Sequence, residues 1–149
     1  ATGDIFSGDV VKLASGYVLQ GGATDAPLGV FGGVEYQKTT GEVVFTRRFV
    51  SGTATLGSAN MKAYVYADPN IVYEAQFTGT PAQTDVGKVH TISTTAGDTN
   101  NNRSKEGVTT TTASGIAKLV AYVGRPDNTA NAQYARGYFI FPASTYGND

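Results

Sequence analysis

The sequence predicts an all-β protein, a β-barrel or a jelly-roll-like β-sandwich with almost no helix, and three observations carry that expectation. Charged residues make up 15% of the 149 residues, against about 25% in an average soluble domain. Gly, Thr, Ala and Tyr take their place, a palette poor in long helix formers and rich in strand and turn formers. Short apolar or alternating runs recur along the chain, each closed by Gly, Asn, Asp or Pro, and a spacing of about ten residues between such runs is that of a sandwich or barrel. No window has apolar residues at i, i+3, i+4 and i+7 over a dozen positions, so no amphipathic helix is expected.

The predicted strands lie at 10–13, 17–20, 28–36, 43–49, 62–67, 71–77, 89–94, 107–112, 116–123 and 137–141. Gly29, Gly32 and Gly33 fall inside the third run, where glycine marks a bulge or a sharp bend and not a phosphate-cradling loop before a helix. Between the fifth and sixth runs stands Asp68-Pro69-Asn70, in which Pro presets φ and Asn tolerates a left-handed position, a strand-turn-strand signal. The run Gly137-Tyr138-Phe139-Ile140-Phe141 has no charged residue on either face. It reads as a strand buried on both sides or half covered by another subunit. Segments 97–103 and 125–133 are rich in Asn, Asp and Pro and read as long hairpin loops held by local side-chain hydrogen bonds. Residues 121–128 faintly echo 63–70. The chain reads as one compact β unit, or as two small fused β modules divided at 1–57 and 58–149.

Composition also bounds function. The net charge of -1, from 11 basic and 12 acidic residues, creates no field that would gather a polyanion, so nucleic acid is not an expected partner. With no cysteine there is neither a disulfide framework nor a thiolate metal site. No apolar stretch reaches the roughly 18 residues of a membrane helix, so no membrane partner is expected. A start of Ala1-Thr2-Gly3-Asp4 reads as a cytosolic product trimmed of its initiator Met.

Candidate chemistry is sparse. His90, the one histidine, would need a nucleophile and an orienting acid to act as a base, and nothing local supplies them; it reads as a half-exposed strand residue. Asp98, Asn100, Asn101 and Asn102 offer oxygen ligands but lack the spaced carboxylates of a calcium loop. Asn102-Arg103-Ser104 matches a glycosylation sequon without a secretion signal to make it usable. No catalytic residue, metal site or cofactor is therefore expected, and the chain reads as a binding or structural protein and not an enzyme. The residues offered for a protein interface are Arg47 and Arg48, which can grip carboxylates in a bidentate fork, and Tyr64, Tyr66, Tyr138 and Phe139, aromatic side chains of the kind interfaces favour.

Two stretches also resemble a known family. Gly8-Asp9-Val10-Val11-Lys12-Leu13-Ala14-Ser15-Gly16-Tyr17-Val18-Leu19-Gln20, followed by residues 25–36, resembles the opening barrel of tailed-phage head proteins of the decoration or cement type. Ala63-Tyr64-Val65-Tyr66-Ala67-Asp68-Pro69-Asn70 and its continuation to Gln76, with Asp85-Val86-Gly87-Lys88 and Arg125-Pro126-Asp127-Asn128, is similar to the later β part of such proteins in podovirus-like and cyanophage-like phages. The resemblance covers about half the chain and includes no chemical signature residue. It implies a capsid cement protein on the outer surface of the virion, assembled in the host cytoplasm. Such a protein would act as a homotrimer that clamps neighbouring copies of the major capsid protein. The rival expectations are a head-fibre or receptor- or carbohydrate-binding β module, and a small β-fold hydrolase using His90.

Overall fold

The computed structural model describes residues 3–53, 55–57 and 60–145. Its strands are β1 (Ile5–Phe6), β2 (Val10–Ala14), β3 (Tyr17–Gln20), β4 (Gly29–Gln37), β5 (Val43–Thr46), β6 (Arg48–Phe49), β7 (Lys62–Tyr66), β8 (Tyr73–Gln76), β9 (Val89–His90), β10 (Ala117–Tyr122) and β11 (Arg136–Ile140). The chain is all-β: a turn of 3-10 helix, Gln83–Asp85, interrupts the strands, and every pairing between the strands described is antiparallel.

The first sheet runs β3-β2-β4-β5, with β7 on the opposite edge of β4. Its β2–β3 hairpin closes through Ser15 and Gly16, both at positive φ (51° and 81°). Two left-handed residues in a two-residue loop carry the twist that matches the flanking strands. The second sheet runs β8-β11-β10-β9, and β1 pairs with β6 as a separate ribbon. Val108 forms a parallel bridge to Phe77 and an antiparallel one to Ile92. The two ends of the second sheet are thereby drawn toward each other, without a closed barrel of strands.

Successive side chains of a strand point to opposite faces, and β2 and β4 use this to form a wall between two cores. Val10 and Val30 face a cluster built on Phe77, Ile92, Val108, Leu119, Phe139 and Phe141. Their neighbours Val11 and Phe31 face the other cluster, with Ile5, Leu28 and Val34. The alternation continues across a bulge in β4, where the register to β7 shifts between Phe31 and Gly33, at the glycines where a bulge is expected from sequence.

Several expectations are corrected. The run 43–49 is two strands, because Ser7 donates its N–H to the Arg47 carbonyl (2.8 Å) and turns the chain from the first sheet into the ribbon. The run 107–112 forms only the isolated bridges of Val108. Strand β1 was not foreseen, since two residues carry no period. The run 137–141 is not apolar on both sides: Gly137, Phe139 and Phe141 are buried, whereas Tyr138 is 37% exposed. The Tyr138 hydroxyl lets that face stay wet, so the strand is not buried on both sides as its sequence suggested. In the proposed division at 57 and 58, Ser58 lies outside the described residues, and β7, on the far side of it, pairs with β4 from Val30↔Tyr66 to Glu35↔Lys62.

The turn at Asp68 forms as its residues suggest, with Ile71 donating to the Asp68 carbonyl (3.1 Å) and Asn70 N–H to Asp68 Oδ1 (2.8 Å). It leads from one sheet to the other and does not make a hairpin, because β7 pairs with β4 and β8 with β11.

Candidate interaction face

On the outer side of the first sheet, β5, β4 and β7 present a row of apolar side chains to solvent. Val43 and Phe45 alternate on β5, and Tyr64 and Tyr66 on β7; their exposures are 64%, 59%, 46% and 61%. Between Phe45 and the two tyrosines, β4 presents Gly32 and Gly33. A Cβ at Gly33 would strike the Phe45 ring, and one at Gly32 would crowd the Tyr66 ring, so the two glycines are the seats on which the aromatics lie. Phe45 and Tyr64 meet edge to face across the gap (centroids 5.7 Å, planes at 65°), an arrangement that holds both rings in place.

Polar groups border this row. The Tyr64 hydroxyl donates to Glu35 Oε2 (3.4 Å), Lys62 lies opposite Glu35 in register, and Lys38 pairs with Glu42 (2.8 Å) within the β4–β5 turn. An aromatic centre with a charged rim is the composition of a protein-binding patch.

The other predicted interface residues are placed differently. Arg48 is occupied within the molecule: Nε donates to Asp4 Oδ2 (3.1 Å), Nη2 donates to the same oxygen, and the guanidinium stacks 5.0 Å over the Phe6 ring. The Arg48 hydrogen bond, joined by Ser51 N–H, holds the Asp4 carboxyl below the ordinary carboxylate range. Arg48 therefore staples the ribbon, and Arg48→Ala is expected to lower stability by about 1 kcal/mol in urea unfolding, the size of a half-exposed ion pair plus a cation–π contact. A change below a few tenths would remove that role. Arg47 is exposed and forms no ion pair among the described residues. Tyr138 is half-exposed on the second sheet, away from the row on the first. Phe139 is 1% exposed and belongs to the core, so it is withdrawn as an interface residue.

Val43 and Phe45 were missed from sequence. Their signal was present in Val43-Val44-Phe45, but period two alone does not say which face a second layer will cover.

His90 is not half-exposed. It is fully buried, its ring edge-on to Phe77 (5.3 Å) and its Nε2 3.5 Å from the Asp85 carbonyl. The Asn-rich loop is closed on itself as expected: Asp98 Oδ1 accepts Asn100 N–H (2.9 Å), Oδ2 accepts the Asn101 amide (3.3 Å), and Asp98 bridges Arg103. In the other loop, Asn128 donates to the carbonyls of Val123 and Arg136 (both 2.8 Å) and accepts Arg136 N–H, locking the base of the β10–β11 hairpin. Among the described residues no three His, Cys, Asp or Glu side chains gather as a metal site.

Set against known protein families, curated proteins and solved structures, the chain matches none of them.

Proposed function

We propose that this chain is a capsid cement protein, docking on the outer surface of a phage head and bridging neighbouring major capsid subunits as a homotrimer. The observation that carries a binding role is the exposed row Val43, Phe45, Tyr64 and Tyr66, held rigid on a five-stranded sheet. The head partner comes from the resemblance of residues 8–36 and 63–76 to decoration proteins.

Magnitude argues for several copies acting together. Four side chains about half exposed offer on the order of 300–400 Å² of apolar surface, as large as the biggest patch on a typical monomer. That is roughly half of what one partner buries in a standard interface of about 800 Å². One copy would hold weakly, whereas linked copies gain from effective concentration. Binding to the shell and not to its separated subunits would stabilise the shell by linkage.

The test is cosedimentation of the purified protein with heads stripped of it, followed by thermal disruption of loaded and bare shells. Saturable binding with a higher disruption temperature is expected. Phe45→Lys should weaken binding by about 100-fold or more if the row forms a central contact. It should change folding stability by only about 1 kcal/mol, the worth of a cross-strand aromatic pair. Undiminished binding by this variant would take the row out of the interface, and no binding by the parent protein to any shell would end the cement reading. The exposure of Tyr64 and Tyr66 also suits a carbohydrate-binding module, and a glycan array showing reproducible micromolar binding would favour that second reading.

A further inference from the structure

The two cores meet at a carboxyl group. Glu106 lies just before Val108, the residue that draws the ends of the second sheet together, yet its side chain reaches the first sheet. Oε2 accepts the Val10 N–H of β2 (2.8 Å) and Oε1 accepts the Gln20 amide of β3 (3.1 Å). Glu106 also lines a cavity of about 170 Å³ between the sheets, otherwise walled mainly by Val10, Val30, Ile92, Phe139 and Phe141.

A second carboxyl lies close by. Asp9 is fully buried; its Oδ2 accepts Phe6 N–H (2.8 Å), and the Ser104 side chain also bonds the carboxyl. The turn between β1 and β2 that carries it is tied to the Glu106 segment by Ser104 N–H donating to the Ser7 carbonyl (2.9 Å) and by the Ser7 to Arg103 bridge. Among the described residues no cation pairs with either carboxyl. Lys105 reaches toward Asp98 (3.9 Å), and Glu74, on β8 at the rim of the cavity, is faced by Arg125 and Arg136 (3.4 and 4.0 Å). Tyr73, also at the cavity, spends its hydroxyl on the Tyr66 carbonyl. Near Ile92, Ala117 and Phe139 the titratable groups are Lys118 and Tyr138, which alternate with the buried Ala117, Leu119 and Phe139 and so point to the other side of their strands, and His90, buried edge-on against Phe77.

We propose that Glu106 is a proton-operated latch between the two sheets, fastening β2 and β3 to the Val108 segment when it carries a proton and loosening them when it does not. Gln20 makes the neutral state complete. A primary amide can present either its NH₂ or its oxygen, so it donates to the carboxylate and, turned over, accepts the O–H of the acid. Both hydrogen bonds survive protonation, while the repulsion from Asp9 and the burial of charge in an apolar cavity are relieved.

The electrostatics agree in direction. Burial, with the Asp9 charge adding to it against the Val10 and Gln20 hydrogen bonds, pushes Glu106 up to about 7, and burial raises Asp9 as well. A carboxyl raised in the folded state contributes stability that is complete below its unfolded value and is lost as pH rises through the folded one. The latch is therefore closed in mildly acidic solution and opens as pH passes about 7.

The experiment follows the Glu106 carboxyl carbon and the Val10 amide by NMR in the full chain. Glu106 is expected to titrate far above an ordinary glutamate. The protection factor of the Val10 amide should fall about tenfold or more between mildly acidic and mildly alkaline pH, each unit of pKa shift being about tenfold in equilibrium. In Glu106→Gln, which is permanently neutral, that protection should stay flat over the same range. An ordinary Glu106 titration, read on the parent protein without any variant, would overturn the latch. So would an equal loss of Val10 protection in Glu106→Gln, which would assign the pH dependence to other groups.

Discussion

Phe139→Ala is expected to destabilise the fold by about 3–5 kcal/mol, the cost of emptying an aromatic site in a packed core. The Phe139 ring meets Phe77 edge to face (5.4 Å), and Phe77 in turn contacts His90 and Tyr122. The lost volume thus opens onto side chains that are themselves fixed. Beside it, Tyr138→Ala removes a half-exposed side chain and should cost about 1 kcal/mol, near the centre of the distribution for ordinary substitutions. Urea unfolding of the two variants, with unchanged m-values, measures the contrast. Equal losses would mean that both faces of β11 are covered, as the run 137–141 suggested before its neighbours were placed. A small loss for Phe139→Ala would contradict its position in the core. Since native stability is typically about 5–15 kcal/mol, the expected loss is large enough to unfold a marginal domain.

Gly29→Ala is expected to cost roughly 3 kcal/mol, the upper range for overpacking a well-filled site. A Cβ at Gly29 would press into the Tyr66 carbonyl and onto the Cα of Ala67, both backbone atoms that have no rotamer with which to retreat. Relief comes only by parting β7 from β4, so the damage should be local as well as global. Hydrogen exchange in β7 should accelerate more than in β10 and β11. If Tyr64 and Tyr66 form the binding row, shell binding should fall with it. Gly124→Ala is the matching control, since a Cβ there meets nothing within 4 Å, and it should stay within about 0.5 kcal/mol of the parent. A Gly29→Ala protein as stable as the control would mean that β4 and β7 do not approach as closely as their register requires.

Both results depend on the same distinction between local and non-local information. Residues 17–20 were legible as a strand to the residue, because a glycine turn precedes them and a Gly-Gly pair ends them. The bulge in β4 was legible from its glycines, and the closed Asx loop at 97–103 from side chains that bond their own backbone. Arg48 was legible as a residue able to grip a carboxylate, but not as one that grips Asp4, 44 residues away. His90 and Phe139 sit in runs that look like their exposed neighbours. The Glu106 latch left no trace in sequence at all, since Val10 and Gln20 lie 96 and 86 residues from it.

By itself, then, the sequence determined that this chain is all-β, where most of its strands and turns fall, and that it carries little charge. Those properties come from backbone preference and side-chain alternation, which act over a few neighbouring residues. Only the tertiary structure decided which side of each strand is covered. It turned β2 and β4 into a wall between two cores, left Val43, Phe45, Tyr64 and Tyr66 in water, and shut His90 and Asp9 away from it. A strand offers the same two faces whatever lies above them, and burial is conferred by a second layer that arrives from elsewhere in the chain.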